Sequence, residues 1–384
     1  MTALELRGGS VWDGLADGSS QNSVFTSNGT IAEAPSDGAE VIDVSGCTVV
    51  PGLIEAHAHL CFNAGADWRE VYDSDTPEQM LLRMSGYGLR MLEAGITTVR
   101  DLGAPTNLAV ALRDAIRGGL VVGPDLLVAG APITPTGGHC WFLGGEADGI
   151  EGVKVAVRER KKAGADWIKV MASGGNMTPG TNPLAAQFSV EELRAIVAEA
   201  HRLEMKVTAH AHGVEGIKVA AEAPVDMIEH CSFQTPEGSS LKDDSVILDI
   251  ARKGIRVSPT IVGALSTYRG QPRWDSRAEL TKALFAAGCD VLMSTDCGIP
   301  NTPHEKLAQA LQVIDELAEL GPVATLKLAT STSARLLYLD DRGTIAAGQR
   351  ADLLVVEGNP TEDLSALERV RVVMSGGEVV YRAH

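Results

Sequence analysis

Between Pro51 and about Leu336 the chain alternates short apolar runs with longer stretches of helical spacing, and it carries eight such runs. They are GLIEAHAH (52–59), ITTVRDLG (96–103), PDLLVAG (124–130), DWIKVMASGG (166–175), MKVTAHAHG (205–213), VDMIEHCS (225–232), GIRVSPT (254–260) and CDVLMSTDCG (289–298). Their length and bounding turn residues are those of strands. Apolar spacing predicts helices over 77–94, 106–117, 151–163, 189–204, 240–253, 276–287 and 304–319. Ser189 followed by Glu192 is a capping-box start for one of them. Parallel strands need a crossover between them, so eight strands with helices between predict an α/β chain folded as a (β/α)8 TIM barrel. A doubly wound open sheet would use the same elements, but it gives no reason for the polar strand ends described below.

Residues 1–50 break the alternation. They hold short strand-like runs joined by turns rich in Gly, Asn, Ser and Asp, and the tail, GTIAAGQRADLLVVEG and VRVVMSGGEVVYRAH, resembles them. The organisation predicted is a catalytic barrel over 51–336 beside a small β-sandwich module formed by both chain ends, 1–50 and 337–384. A chain of 384 residues has room for both. The glycine- and proline-rich links 134–149 and 174–188 follow strand positions and are expected to shape the mouth of the barrel.

Composition excludes several classes. The formal net charge of -17 repels a phosphate backbone, so nucleic acid is not an expected partner. No run of about 20 apolar residues is present, which argues against a membrane span. The start, MTALELRGGSVWDG, does not read as a signal peptide, and the six scattered cysteines read as reduced thiols of a cytoplasmic protein. A homo-oligomer is compatible with this reading. There is no G-x-S-x-G elbow, no CxxC pair and no complete phosphate loop around Ser173–Gly175. A serine or thiol hydrolase and a nucleotide cofactor are therefore poorly supported.

The strand ends carry the chemistry. A strand repeats every two residues, so His57 and His59 leave the same face. His210 ends the fifth strand, His230 the sixth and Asp296 the eighth, while Lys169 lies within the fourth. In a barrel the C-terminal strand ends open on one mouth, so these residues would converge. Imidazole nitrogens and a carboxylate oxygen are ordinary ligands for zinc and related divalent ions. Lys169 is the odd member, because a buried ammonium is costly and repels cations. Its plain role would be to pair with a barrel carboxylate.

PGLIEAHAH, the strand-four lysine, HAHG, IEH and STDCG, with the closing GTIAAGQRADLLVVEGNP, resemble the amidohydrolase superfamily. The closer likeness is to its metal-dependent dipeptidase branch, prolidase-like and ochratoxinase-like, with the related imidazolonepropionases. The likeness covers nearly the whole chain. It implies that His57, His59 and Asp296 bind the more buried of two divalent metal ions, zinc being favoured, and that His210 and His230 bind the second. It further implies that CO2 adds to the Lys169 amine, giving a carbamate that bridges the pair. Between His210 and His212 the likeness favours His210 as ligand and leaves His212 to the substrate. His139, in TPTGGHCWF, is implied to stand near the substrate carbonyl; Tyr268 and His304 are expected to line the mouth. One departure matters: deaminase-like and imidazolonepropionase-like members carry a glutamate where this chain has Gly213. That favours a two-metal hydrolase.

The mechanism so implied has two ions about 3.5–4 Å apart holding a shared hydroxide and polarising a carbonyl. Asp296 takes the water's proton and passes it to the departing amine. His139 stabilises developing charge on the carbonyl oxygen. The expected substrate is a dipeptide, an N-acyl amino acid or a related small amide. Carbamates, aryl ureas or lactones could react at the same centre, an imidazolone ring-opener is a weaker alternative, and loss of a ligand would leave a binding protein on a retained barrel.

Overall fold

In the computed structural model, which describes residues 3–383, seven of the eight strand-like runs form regular parallel strands. They are β1 (Leu53–Ala58), β2 (Ile96–Asp101), β3 (Asp125–Val128), β4 (Trp167–Met171), β5 (Lys206–Ala211), β6 (Met227–His230) and β7 (Arg256–Ser258). β1, β2 and β3 form one parallel sheet, and β4 through β7 form another in sequence order. Parallel bridges Ile133–Val170, Val257–Val291 and Ala58–Cys297 link the outer strands of the two sheets. The eighth run, 289–298, therefore lies between β7 and β1 but is not a regular strand. Asp296 and Gly298 take φ values of 63° and 103°, which breaks the extended backbone there.

Alternation with helices follows the sequence pattern closely. Helices occupy Pro77–Glu93, Thr106–Arg117, Gly149–Ala163, Val190–Arg202, Asp244–Arg252, Pro272–Ala286 and Leu307–Ala318. Ser189 accepts the Glu192 N–H while the Glu192 carboxylate accepts the Ser189 N–H, so the predicted capping box is present. Four helices escaped the sequence reading, Val214–Glu222 in the short link between β5 and β6, and Trp68–Ser74, Pro322–Leu328 and Ser331–Leu336, which are only six or seven residues long. The helix expected from residue 276 starts four residues earlier, with Pro272 in its first turn where a missing N–H costs nothing.

β4–β7 bury Ile168, Val170, Val207, Ala209, Ile228 and Val257 against Val157, Leu193, Ile196, Ile217, Ile250 and Leu280 of the surrounding helices. Each fully buried Val, Ile or Leu side chain contributes about 1.5–3 kcal/mol. This apolar layer holds the strands, leaving their ends free for polar groups.

The chain ends meet. Cys47–Pro51 pairs antiparallel with Leu353–Glu357, in register Val50 to Leu354, within a six-stranded sheet drawn from both termini. A second, four-stranded sheet comprises Leu4–Arg7, Val24–Ser27, Thr30–Ala32 and Glu40–Asp43. Leu6, Val24 and Ile42 of that sheet share one apolar cluster with Val49, Leu353 and Val372 of the other.

Candidate metal centre

His57 lies on β1 and His59 just past its end, both buried. The second nitrogen of each ring is already committed. His57 Nδ1 donates to Glu229 Oε2 at 2.8 Å, and His59 Nδ1 donates to the Gly103 carbonyl at 3.0 Å. Those bonds leave a lone pair on each Nε2. The two Nε2 atoms are 3.3 Å apart, and Asp296 Oδ1 is 3.2 Å from one and 3.1 Å from the other. Burial works against a charged His59 and the Asp296 carboxylate works for it, with a net upward direction. The angles nevertheless leave buried Asp296 Oδ1 with no hydrogen-bond partner. With each Nδ1 donating elsewhere, the two Nε2 lone pairs and the Asp296 oxygen converge, which is the geometry of a cation site.

His230, at the end of β6, joins this group to a second. One ligand atom each from His57, His230 and Asp296 lies within 4.8 Å of the others, and the same holds for His210, His212 and His230. Thr260 Oγ1 holds His230 Nδ1 at 2.9 Å, and the Gly174 carbonyl accepts from His210 Nε2 at 3.0 Å. His212 Nδ1 is 2.9 Å from Ser232 Oγ. Both His210 and His212 have ring centroids 4.4 Å from that of His230, so proximity alone does not choose between them. His230, Thr260 and Asp296 all have left-handed backbone, with φ of 66°, 50° and 63°. Such strain gathers where the surrounding structure must aim a side chain.

Lys169 projects from β4 into the gap, with Nζ 3.3 Å from His57 Nε2, and is buried. Burial lowers its pKa, which favours the neutral amine. The plain alternative, an ion pair with a barrel carboxylate, is not formed: among the described residues the nearest such pairings of Glu229 go to Arg100 and His57.

Side chains that the sequence reading passed over hold this cluster. Glu229, on β6 and fully buried, also accepts from Arg100 of β2 at 2.8 Å. Burial alone would raise its pKa, but Arg100 and His57 outweigh it and hold the carboxyl well below the usual range. Glu55, on β1, accepts the His57 and Thr295 N–H groups at 2.9 and 3.0 Å and the Thr295 hydroxyl at 2.6 Å. It thereby ties β1 to the segment carrying Asp296, and burial pushes it up to about 7. A glutamate in the middle of an apolar run, as in GLIEAHAH, was the signal available for it.

The cluster floors a cavity of about 260 Å³, whose wall includes His139, Cys140, Asn176 and Met177 from the two long links. His139 is buried, its Nδ1 lies 3.0 Å from Thr178 Oγ1, and burial holds it down to about 3, a neutral ring at ordinary pH. Tyr268 and His304 are not brought to the cavity wall. The His304 ring stacks on Tyr87 at 4.3 Å and its Nε2 donates to the His59 carbonyl at 3.2 Å, so it braces the loop behind His59. Tyr268 instead lies under the Arg273 guanidinium, 4.5 Å from its ring, and Arg273 itself reaches the wall.

The absent glutamate also has a physical reason. A Cβ at Gly213 would come within 2.5 Å of the Leu184 backbone, because the link 174–188 lies directly on it. All six cysteines are free thiols, and no helix among the described residues is long and apolar enough to cross a membrane.

The sequence profile of the amidohydrolase family matches residues 48–380, which span β1 to β7 and every residue of the cluster. The chain belongs to the amidohydrolase family and is a hydrolase acting on C–N bonds. It is 31% identical over 361 residues to ochratoxinase from Aspergillus niger, covering 85% of this chain and 73% of that protein. Imidazolonepropionase from Anaeromyxobacter sp. (strain K) is 25% identical over 389 residues, covering 92% and 86%. The crystal structure of a Xaa-Pro dipeptidase with methionine in its active site matches with a TM-score of 0.87 and 27% identity, over 100% of both chains.

Proposed function

We propose that this chain is a metal-dependent amidohydrolase that cleaves the amide bond of a dipeptide, an N-acyl amino acid or a related small molecule. The proposal includes an eight-stranded barrel closed through the three parallel bridges, with a β-sandwich built from both chain ends. The observation that carries the reading is the meeting of His57 Nε2, His59 Nε2 and Asp296 Oδ1 within 3.3 Å of one another, while each Nδ1 is engaged elsewhere. That donor set fits a divalent ion, and its N/O character suits zinc. His57, His59 and Asp296 would hold one ion and His210 with His230 a second. Lys169, buried beside His57 with its pKa lowered by burial, is suited to carboxylation: the amine would add CO2 and release one proton to solvent, and the anionic carbamate would be a further ligand for the ions.

Ions bound there would supply Lewis acidity and a water made acidic near neutral pH. The chain's own groups do the rest. Asp296 takes the proton of the attacking water and returns it to the amide nitrogen, so that the C–N bond breaks to a carboxylic acid and an amine. His139, kept neutral by burial, donates a hydrogen bond to the carbonyl oxygen as negative charge gathers on it. The glutamate of the ring-opening relatives has no room at Gly213, which weighs against that chemistry here.

The test combines metal analysis with a substrate panel. Active protein is expected to hold about two divalent ions per chain. It should release amine and acid from dipeptides or N-acyl amino acids faster than it cleaves aryl ureas, carbamates or lactones. Full activity with one ion would remove the bridging role of Lys169, and activity on ureas, carbamates or lactones alone would replace the substrate class.

The choice between the two strand-five histidines has its own check. His210→Asn should lower the metal content to about one ion per chain, while His212→Asn should keep about two and raise KM. Equal metal loss in the two variants would make His212 a ligand.

A further inference from the structure

The wall of the cavity beyond β7 carries two guanidinium groups that the metal chemistry does not use. Arg273 and Arg277 belong to the helix Pro272–Ala286 and stand four residues apart, on one face. Both line the same cavity as His57, His230 and Asp296. Among the described residues neither forms an ion pair with a carboxylate. Arg277 donates to the Pro259 carbonyl, which fixes one edge of its plane, and its charged or titratable neighbours include the Cys231 thiol, Arg273 and His212. Arg273 is braced on the Tyr268 ring. Burial, with Arg273 beside it, presses Arg277 down to about 10, against the usual strong preference of arginine for its charged form. Arg100, Arg113 and Arg342, which are buried, each have an acid, Glu229, Asp166 and Asp125 respectively, whereas half-buried Arg256 lies against the Tyr338 ring.

An uncompensated guanidinium in a cleft is a cost unless an anion completes it. Here the anion has to arrive with the ligand. The opposite sector of the wall is different in kind: Phe62 follows β1, Cys140 follows β3, and Met171 and Met177 belong to β4 and the link after it. The cavity thus has two guanidinium groups, with Val262 and Leu265, beyond β7, a largely apolar stretch beyond β1 to β4 that also holds His139 and Asn176, and the histidine cluster on its floor. The chain as a whole carries a net charge of -17, so an anionic substrate would meet a repulsive field everywhere but at such a patch.

We propose that Arg277, supported by Arg273, is the specificity-determining anchor for a free carboxylate on the substrate, which selects N-acyl amino acids and dipeptides over neutral amides, ureas and carbamates. The proposal rests on the amide-hydrolase reading for its substrates and concerns a different part of the molecule. A guanidinium edge pairs with a carboxylate through two parallel hydrogen bonds, and a lysine cannot copy that geometry. The anchored carboxylate places the adjoining amide over the floor, with the apolar remainder against Phe62 and Met177.

The experiment uses metal-loaded full-length protein and matched pairs of N-acetyl amino acids and N-acetyl amino alcohols, which differ in replacing the carboxylate by a neutral CH2OH. Binding is followed by calorimetry and cleavage by amine release, for the parent, Arg277→Met and Arg277→Lys. The parent should favour the acid of each pair by at least about 100-fold in kcat/KM, as expected for a charged hydrogen-bonded pair. Arg277→Met should lose at least about 30-fold more on acids than on alcohols, mostly in KM, and Arg277→Lys should recover only part of the loss. Equal losses on acid and alcohol, or acids binding the parent and Arg277→Met alike, would overturn the anchor. If the parent cleaves neither series, the amide-hydrolase reading fails by itself, and the anchor is then decided by calorimetry, where it stands only if the acids bind the parent and that binding is lost in Arg277→Met.

Discussion

Asp296→Asn is expected to lower turnover by about 10³-fold or more, while the metal-free protein unfolds within about 2 °C of the parent. The asymmetry follows from where the carboxylate sits. Asn has nearly the same volume, and of the uncharged residues other than glycine it best tolerates the left-handed backbone that position 296 adopts, with φ of 63°. Oδ1 makes no hydrogen bond that Asn would forfeit. What disappears is charge. The amide cannot take a proton from water, and it binds a divalent ion weakly beside two neutral imidazoles. Turnover, metal content and thermal unfolding should be measured on the same preparation. Near-normal turnover at full metal content would remove Asp296 from proton transfer altogether.

Lys169→Met should separate stability from function in the opposite sense. Activity is expected to fall by about 10³-fold and the metal content to about one ion per chain. The metal-free variant should nevertheless be more stable than the metal-free parent, by about 1 kcal/mol or more, because an apolar chain replaces a buried amine that forms no ion pair with a carboxylate among the described residues. The pH dependence fixes the sign. Burial lowers the folded-state pKa of Lys169 below its ordinary 10.5. Between those two values the unfolded parent binds more protons than the folded one, so parental stability rises with pH. The advantage of Lys169→Met should therefore be largest at lower pH and shrink toward pH 10.5. Denaturant melts of both metal-free proteins at several pH values provide the check. An advantage that grows with pH would mean that the folded state stabilises a charged ammonium.

Much of this protein was legible in one dimension because the information is periodic and local. Alternating apolar runs gave the parallel strands, and Ser189 with Glu192 gave a helix start, since a capping box closes within four residues. His57, His59, Lys169, His210, His230 and Asp296 could be named together because a parallel β/α repeat sends every strand end to the same side, whatever the sequence distance. The weakest predictions were those on loops. His304 and Tyr268 are polar residues near the mouth in sequence, but one stacks on Tyr87 beneath His59 and the other backs Arg273. No spacing rule relates a loop residue to the wall it finally faces.

What the sequence determined by itself is the order of the parallel strands, the meeting of the two terminal segments and the set of side-chain types able to ligate a metal. Each is fixed by period, by turn chemistry or by which atoms can donate to a cation. Only the tertiary structure decided how those donors are held. Glu229 sets the free nitrogen of His57 from across the site, Gly103 does so for His59, and Glu55 ties β1 to the segment bearing Asp296. It also decided that Gly213 leaves no space for a carboxylate and that Arg273 and Arg277 face the cavity with no ion-paired acid among the described residues. A hydrogen bond or an unpaired charge is a relation between residues far apart in the chain, and it exists only once the backbone has brought them within about 3 Å of each other.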